Sequence, residues 1–159
     1  MAQVLVIYFS VTGNTRILAE AVAEGVRSVE HVSCRLTPIE EITNEDLVDA
    51  DGIIVGSPTY FGQMAAQVKQ MFDATERIYG QLEGKVGGAF TTAGGLGCGH
   101  ELANMSIITA MLVSGMVVQG TTKGPHFGPF AAGKPGKKDL EKGRALGVRV
   151  AELAKKLFG

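Results

Sequence analysis

Ser10, Thr12, Asn14 and Thr15 fall around Gly13 in one short stretch, and hydroxyls and an amide at that spacing can hold an anion. The run before them, Gln3 to Phe9, is apolar and β-branched, short enough to be one strand buried on both faces. A helical pattern begins at once after them. A buried strand, a hydroxyl-rich loop and a helix N-terminus form a binding site for negative charge. Free backbone N–H groups and the positive end of the helix dipole point outward, and the side chains add donors. The stretch contains neither lysine nor arginine. It is therefore not a Walker A loop, and it lacks the Gly-x-Gly-x-x-Gly dinucleotide fingerprint. Neutral donors without a counter-charge suit a phosphate monoester that stays bound. The competing reading is a plain strand-to-helix turn with Asn14 or Thr15 as its N-cap.

The elements that must position this loop follow from periodicity. Ile17, Leu18, Ala21, Val22, Gly25, Val26 and Val29 repeat as one face of an amphipathic helix. Residues 31–36 alternate apolar and polar, as an edge strand does. Residues 44–49 read as a short helical turn capped by Asn44. Residues 52–57 are a second fully buried strand, halted by Pro58, and a second loop, 58–63, leads to a helix carrying Val68, Met71, Phe72 and Thr75 on one face. Residues 85–92 form a further central strand, followed by a glycine-dominated loop, 93–99. The helix at 101–114 is apolar nearly all round and is expected to be heavily covered. Residues 116–119 are the fifth strand. Residues 120–137 have no period, and a loop of that length in a compact fold is usually functional or mobile. Leu140, Leu146, Val150, Leu153 and Leu157 mark a C-terminal helix.

Strands alternating with helices imply a parallel α/β sheet with right-handed crossovers and helices on both faces. Five strands in one such sheet commonly take the order 2-1-3-4-5, with ligands beyond the carboxyl ends of the strands beside strand 1. The three unusual loops, 10–15, 58–63 and 91–99, then share one edge and one crevice. The reading is a single domain over residues 1–159.

Composition narrows the function classes. Fifteen Lys and Arg nearly cancel sixteen Asp and Glu, so no strong field draws the chain to nucleic acid or to an anionic membrane. Met1–Phe9 is too short to span a bilayer and lacks the basic start of a signal peptide. Cys34 and Cys98 form no Cys-x-x-Cys and cannot by themselves furnish a zinc site, so no metal is expected. Reduced thiols and a cytoplasmic location are expected.

In order along the chain, Ser10-x-Thr12-Gly13-Asn14-Thr15, Gly56-Ser57-Pro58-Thr59-Tyr60-Phe61-Gly62 and Thr91-Thr92-Ala93-Gly94-Gly95-Leu96-Gly97 resemble the phosphate loop and the two isoalloxazine loops of the flavodoxin family. The likeness is strongest to WrbA-type quinone oxidoreductases and the short flavodoxins near them, and it covers essentially the whole chain. The resemblance implies a flavodoxin-like fold and non-covalent FMN. Ser10, Thr12, Gly13, Asn14 and Thr15 would then hold the phosphate. Pro58, Thr59, Tyr60, Phe61 and Gly62 would border the ring and ribityl chain. Thr91, Thr92, Ala93, Gly94, Gly95 and Gly97 would lie at the pyrimidine edge, where glycines let backbone N–H groups approach closely.

Departures from the family bear on which chemistry it performs. Flavodoxins that shuttle single electrons are typically strongly acidic and sandwich the ring between aromatics from both loops. This chain is nearly neutral, and 93–99 holds no aromatic residue. An open ring face suits nicotinamide or quinone stacking there, which favours a two-electron enzyme. Against this, the long insertion that WrbA-type enzymes carry between strands 2 and 3 is missing. Their histidine before the fifth strand is matched by Ser114, and their glycine-rich segment after it survives loosely as 124–129.

The expected function is an FMN redox flavoprotein in which NADH or NADPH reduces the flavin and a quinone or similar small acceptor reoxidises it. The alternative is a flavodoxin that carries electrons between redox partner proteins. The resemblance also allows for a homo-oligomer, without membrane insertion or nucleic-acid binding. Candidate catalytic side chains are His100 after the glycine loop, His126 in the unpatterned loop and Tyr79 between helix and strand. Each has a structural reading beside it: a helix cap, an exposed loop histidine and a packing tyrosine.

Overall fold

A computed structural model describes residues 1–159. Strands β1 (Ala2–Tyr8), β2 (Val32–Pro38) and β3 (Gly52–Tyr60) precede a two-residue strand β4 (Gln63–Met64). After them come β5 (Val86–Ala93), β6 (Val117–Val118) and β7 (Phe130–Ala132). Helices α1 (Asn14–Arg27), α2 (Asn44–Asp49), α3 (Ala66–Ala74), α4 (His100–Val113) and α5 (Lys137–Phe158) alternate with them. The main sheet runs β2-β1-β3-β5-β6, and its strand pairs are parallel. The expected order of five parallel strands is therefore the observed one.

The apolar runs account for both layers of core. Val4, Val6, Ile54 and Phe90 face α1 and α5, while Leu5, Ile7, Ile53 and Val55 face α2 to α4. Helices α1 and α5 cross with their backbones almost touching. A Cβ on Gly25 would lie 2.1 Å from the Arg144 carbonyl oxygen, and one on Gly147 would lie 2.0 Å from that of Val22. Only glycine permits that approach, and it lets the two helices share one apolar layer. In the sheet, the Phe90 ring fills the space a Cβ on Gly56 would need.

Several expectations are corrected. Pro58 does not halt β3, which continues to Tyr60. The pairing of β1 with β3 ends at Tyr8 and Gly56, so at Pro58 only the β5 side carries a partner and the missing N–H costs nothing there. The cap of α2 is Thr43 and not Asn44: the Thr43 hydroxyl accepts from the Asp46 N–H, and the Asp46 carboxylate accepts from the Thr43 N–H. This capping box, with the Arg35 ion pair, holds the Asp46 carboxyl below the usual carboxylate range. The fifth strand is not one run at 116–119. Its place beside β5 is shared by β6, opposite Val86 and Gly87, and β7, opposite Thr91 to Ala93. The stretch 120–137, read as patternless, thus contains a strand too short to register as a period. Helix α4 is not covered all round, since Leu102, Leu112 and Val113 are exposed.

Adding a methyl at Gly147 forces α1 and α5 apart through rigid backbone. Gly147→Ala should cost about 3 kcal/mol in chemical denaturation. At Gly143 the added Cβ first meets the end of the Leu18 side chain, at 3.0 Å, and Gly143→Ala should be nearly neutral.

Candidate functional site

The loop after β1 is built on α1. Gly13, with φ of 94°, takes the N-cap position, and no side chain caps the helix there; the N-cap roles weighed for Asn14 and Thr15 are thus not the ones observed. Instead Ser10 Oγ accepts from the Gly13 N–H at 3.2 Å and the Arg16 N–H at 3.3 Å. Asn14 and Thr15, the first residues of α1, lack intrahelical acceptors for their N–H groups. Thr12 is exposed, and Thr15 is 2% exposed. Arg16, the nearest cation in sequence, is paired with Glu20. Loop and helix end therefore offer neutral donors, as the sequence implies.

The second loop is narrower than expected. Thr59 and Tyr60 pair with Met64 and Gln63 in an antiparallel hairpin, whose two-residue turn is Phe61 and Gly62. Both turn residues have positive φ, 51° and 73°, the backbone of a type I′ turn. A phenylalanine there is strained, and its side chain stands fully in solvent. Tyr60 is exposed as well, while Thr59 Oγ1 is buried with no hydrogen-bond partner. Below the turn, Ser57 Oγ accepts from the Ala65 N–H at 2.8 Å and donates to the Pro58 carbonyl.

The third loop begins later than expected. Thr91, Thr92 and Ala93 belong to β5 and are buried, and the Thr91 N–H is taken by the Pro129 carbonyl at 3.1 Å. That N–H is not free for a ligand. Gly94 and Gly97 are bordered by open space, and Gly95 meets only Cys98 Sγ.

These three segments converge. Thr15 Oγ1 and Thr92 Oγ1 share a buried hydrogen bond of 2.7 Å, which ties the first segment to the third. A Cβ on Gly99 would stand 2.9 Å from the Gly62 Cα, so the second and third touch through glycine backbone. No Asp or Glu occurs in 10–15, 58–63 or 91–99. The surface where they meet, the candidate crevice, has neutral donors at one end and two aromatics and a glycine loop at the other.

The candidate catalytic side chains are scattered. His100 opens α4 with its ring stacked on Phe130 at 3.6 Å, and its Nδ1 is buried without a partner. His126 is exposed, with Nδ1 2.8 Å from the Thr121 carbonyl oxygen, and it borders a cavity at the sheet edge. Tyr79 is exposed beside a groove between α3 and α4, with Gln63 and Met64. Only His100 adjoins the third segment, through Thr91 Oγ1 donating to its carbonyl.

Asn104 is a residue that sequence reasoning missed. Wholly buried on α4, its Nδ2 donates to the carbonyl of Gly128 at 3.1 Å and lies 3.5 Å from that of Pro129, holding the chain ahead of β7. One amide among Ala103, Ile107, Ile108 and Met111 was the available signal.

Comparison with known proteins agrees with the fold. A family model described as NADPH-dependent FMN reductase matches residues 38–124. A flavodoxin of Aquifex aeolicus is 42% identical, covering 96% of this chain and 86% of its own. An NAD(P)H dehydrogenase (quinone) of Archaeoglobus fulgidus is 36% identical over 190 aligned positions, covering 99% and 100%. That span exceeds the 159 residues here, as a missing insertion requires. Among solved structures, a WrbA-like flavodoxin from Agrobacterium tumefaciens superposes with a TM-score of 0.85 at 29% identity, covering 98% and 99%.

The strain at Phe61 is directly measurable. Phe61→Asn places a residue that tolerates the left-handed region and gives up no buried area. It should raise stability by about 1 kcal/mol, read from the denaturation midpoint of the ligand-free protein.

Proposed function

Because this chain belongs to the NADPH-dependent FMN reductase family of flavodoxin-like proteins, we propose that it is an FMN-dependent NAD(P)H:quinone oxidoreductase. The observation that carries this reading is the third segment, whose glycines border open space and whose loop holds no aromatic side chain. One face of a ring bordered by Tyr60 and Phe61 then stays accessible to a second flat molecule. The near-neutral charge supports the same reading, since no acidic field is present to recruit a redox protein. The alternative, a protein-to-protein electron carrier, draws support from the Aquifex aeolicus relative.

The residues present fit FMN. Thr59 Oγ1 is a buried polar atom without a partner in the protein, and no carboxylate stands where a phosphate must go. In this reading the whole of residues 1–159 is one FMN-binding unit. Ser10, Thr12 and Asn14, with the N–H groups of α1, hold the phosphate. Thr15 and Thr92 keep one hydroxyl hydrogen between them after their mutual bond, so the pair orients the loop and contributes one donor. Pro58, Thr59, Tyr60, Phe61 and Gly62 border the ring system, and Gly94, Gly95 and Gly97 bring backbone N–H groups to its polar edge. When bound, FMN supplies hydride acceptance from NADH or NADPH and two-electron delivery to a quinone. His100 keeps its ring beside the third segment through the Phe130 stack.

A homo-oligomer would cover the exposed apolar stripe Leu102, Leu112 and Val113 of α4. The free thiols Cys34 and Cys98 support a reducing, cytoplasmic setting. No helix is long and apolar enough to cross a membrane.

Replacing Thr12 and Asn14 together with alanine removes two donors to a dianion. The FMN dissociation constant should rise at least about tenfold, measured by quenching of flavin fluorescence; an unchanged constant would move the phosphate elsewhere. Anaerobic stopped-flow mixing of the FMN-loaded protein with NADH and with NADPH tests the chemistry. Bleaching of the flavin band within seconds is the expected result. A flavin that stays oxidised with both donors, yet is reduced by dithionite, assigns the carrier role.

A further inference from the structure

The split of the fifth strand leaves a gap. Between β6 and β7 the edge of β5 from Gly88 to Phe90 has no strand beside it, and residues 119–129 cross it as a loop whose Gly128 packs against the Ala89 carbonyl. Behind that loop lies a cavity of about 220 Å³. Its walls are apolar on the helix sides, with Ile108 and Leu112 from α4 and Leu146 from α5. Phe127 and His126 border it from the loop.

One charged group faces this space. Arg149 of α5 lines the cavity; its Nε is buried, has no hydrogen-bond partner, and the residue makes no ion pair. Burial holds its guanidinium below the ordinary arginine pKa, with no compensating charge. No Asp or Glu lines the cavity. Arg149 is half-buried, and its buried Nε–H without a partner is costly to the fold; the fork of N–H donors to which it belongs is matched by a planar carboxylate.

We propose that this cavity binds a small apolar carboxylate, one aromatic ring or a comparable branched chain, with its carboxylate on Arg149. The size agrees: a dry cavity of about 150 Å³ takes benzene, and this one has room for a ring plus a carboxyl group. The site lies apart from the crevice of the three segments, and it stands whether or not that crevice holds FMN. Its occupant touches Phe127, which leads through Gly128 and Pro129 to the Thr91 N–H and to Phe130 against His100. The loop that borders the cavity is therefore continuous with the wall of the candidate flavin site.

Benzoate is the probe. Added to protein with and without saturating FMN, it should bind saturably in both, shifting the backbone amide resonances of Gly88, Gly120 and Phe127 in ¹H–¹⁵N spectra. Arg149→Met keeps the apolar stem and removes the charge. It should fold with unchanged FMN affinity and bind benzoate at least tenfold more weakly. Arg149→Lys, with charge but no fork, should fall between. Benzamide, neutral and of the same shape, should bind at least tenfold more weakly to the native protein. Equal binding of benzoate by native protein and Arg149→Met, or no saturable shift at those amides, overturns the proposal. Inorganic phosphate binding as tightly as benzoate overturns the carboxylate assignment, because the site would then read charge alone.

Discussion

The structure depends on the contact between α1 and α5. Gly25 and Gly147 let these helices meet backbone to backbone, which fixes both the height and the tilt of α1 over the sheet. The N-terminus of α1 is the floor of the first segment, and the Thr15–Thr92 bond runs from its first turn to β5. Displacing α1 by the width of one methyl group would break that bond and misplace every donor of the loop. A position far from the crevice thus controls its geometry, because helices are rigid and transmit a shift along their length.

Polar groups inside the fold are concentrated where the three segments meet. Ser57, Thr91, Thr92, Thr15 and Asn104 are buried; Thr15–Thr92 and Thr91–His100 tie helices to β5, while Ser57 and Asn104 tie the Ala65 and Gly128 backbone to a strand and a helix. These bonds hold the loops in place before any ligand arrives, so less ordering remains to be done on binding. The strain at Phe61 belongs to the same design: a tight turn places a large aromatic in solvent beside the crevice, where packing alone would have turned it inward.

Strand runs and their order were legible because buried parallel strands are continuous apolar stretches, and the switch point follows from the order. The three segments were legible because hydroxyls and glycines stand out against such runs. What escaped was set by neighbours in space. Pro58 reads as a stop until β1 is seen to end before it. The three-residue β7, unlike β6 within 116–119, is too short for a period of two to show. The exposure of Leu102, Leu112 and Val113 could not be foreseen, since an apolar helix face carries no mark of whether another element covers it. Arg149 sits in an amphipathic helix and looks like any solvated arginine until the gap in the fifth strand is known.

That gap has a bearing on solubility. A continuous fifth strand would present a full row of unpaired amides and carbonyls, a template onto which a strand of another chain could add. Here the outer edge is broken into pieces of two and three residues with a loop thrown across the middle, so no run is long enough to seed such growth. With a net charge of −1, repulsion between copies offers little protection against aggregation. The interrupted edge provides it by shape on this side of the sheet, while β2 on the opposite side keeps an unbroken seven-residue edge.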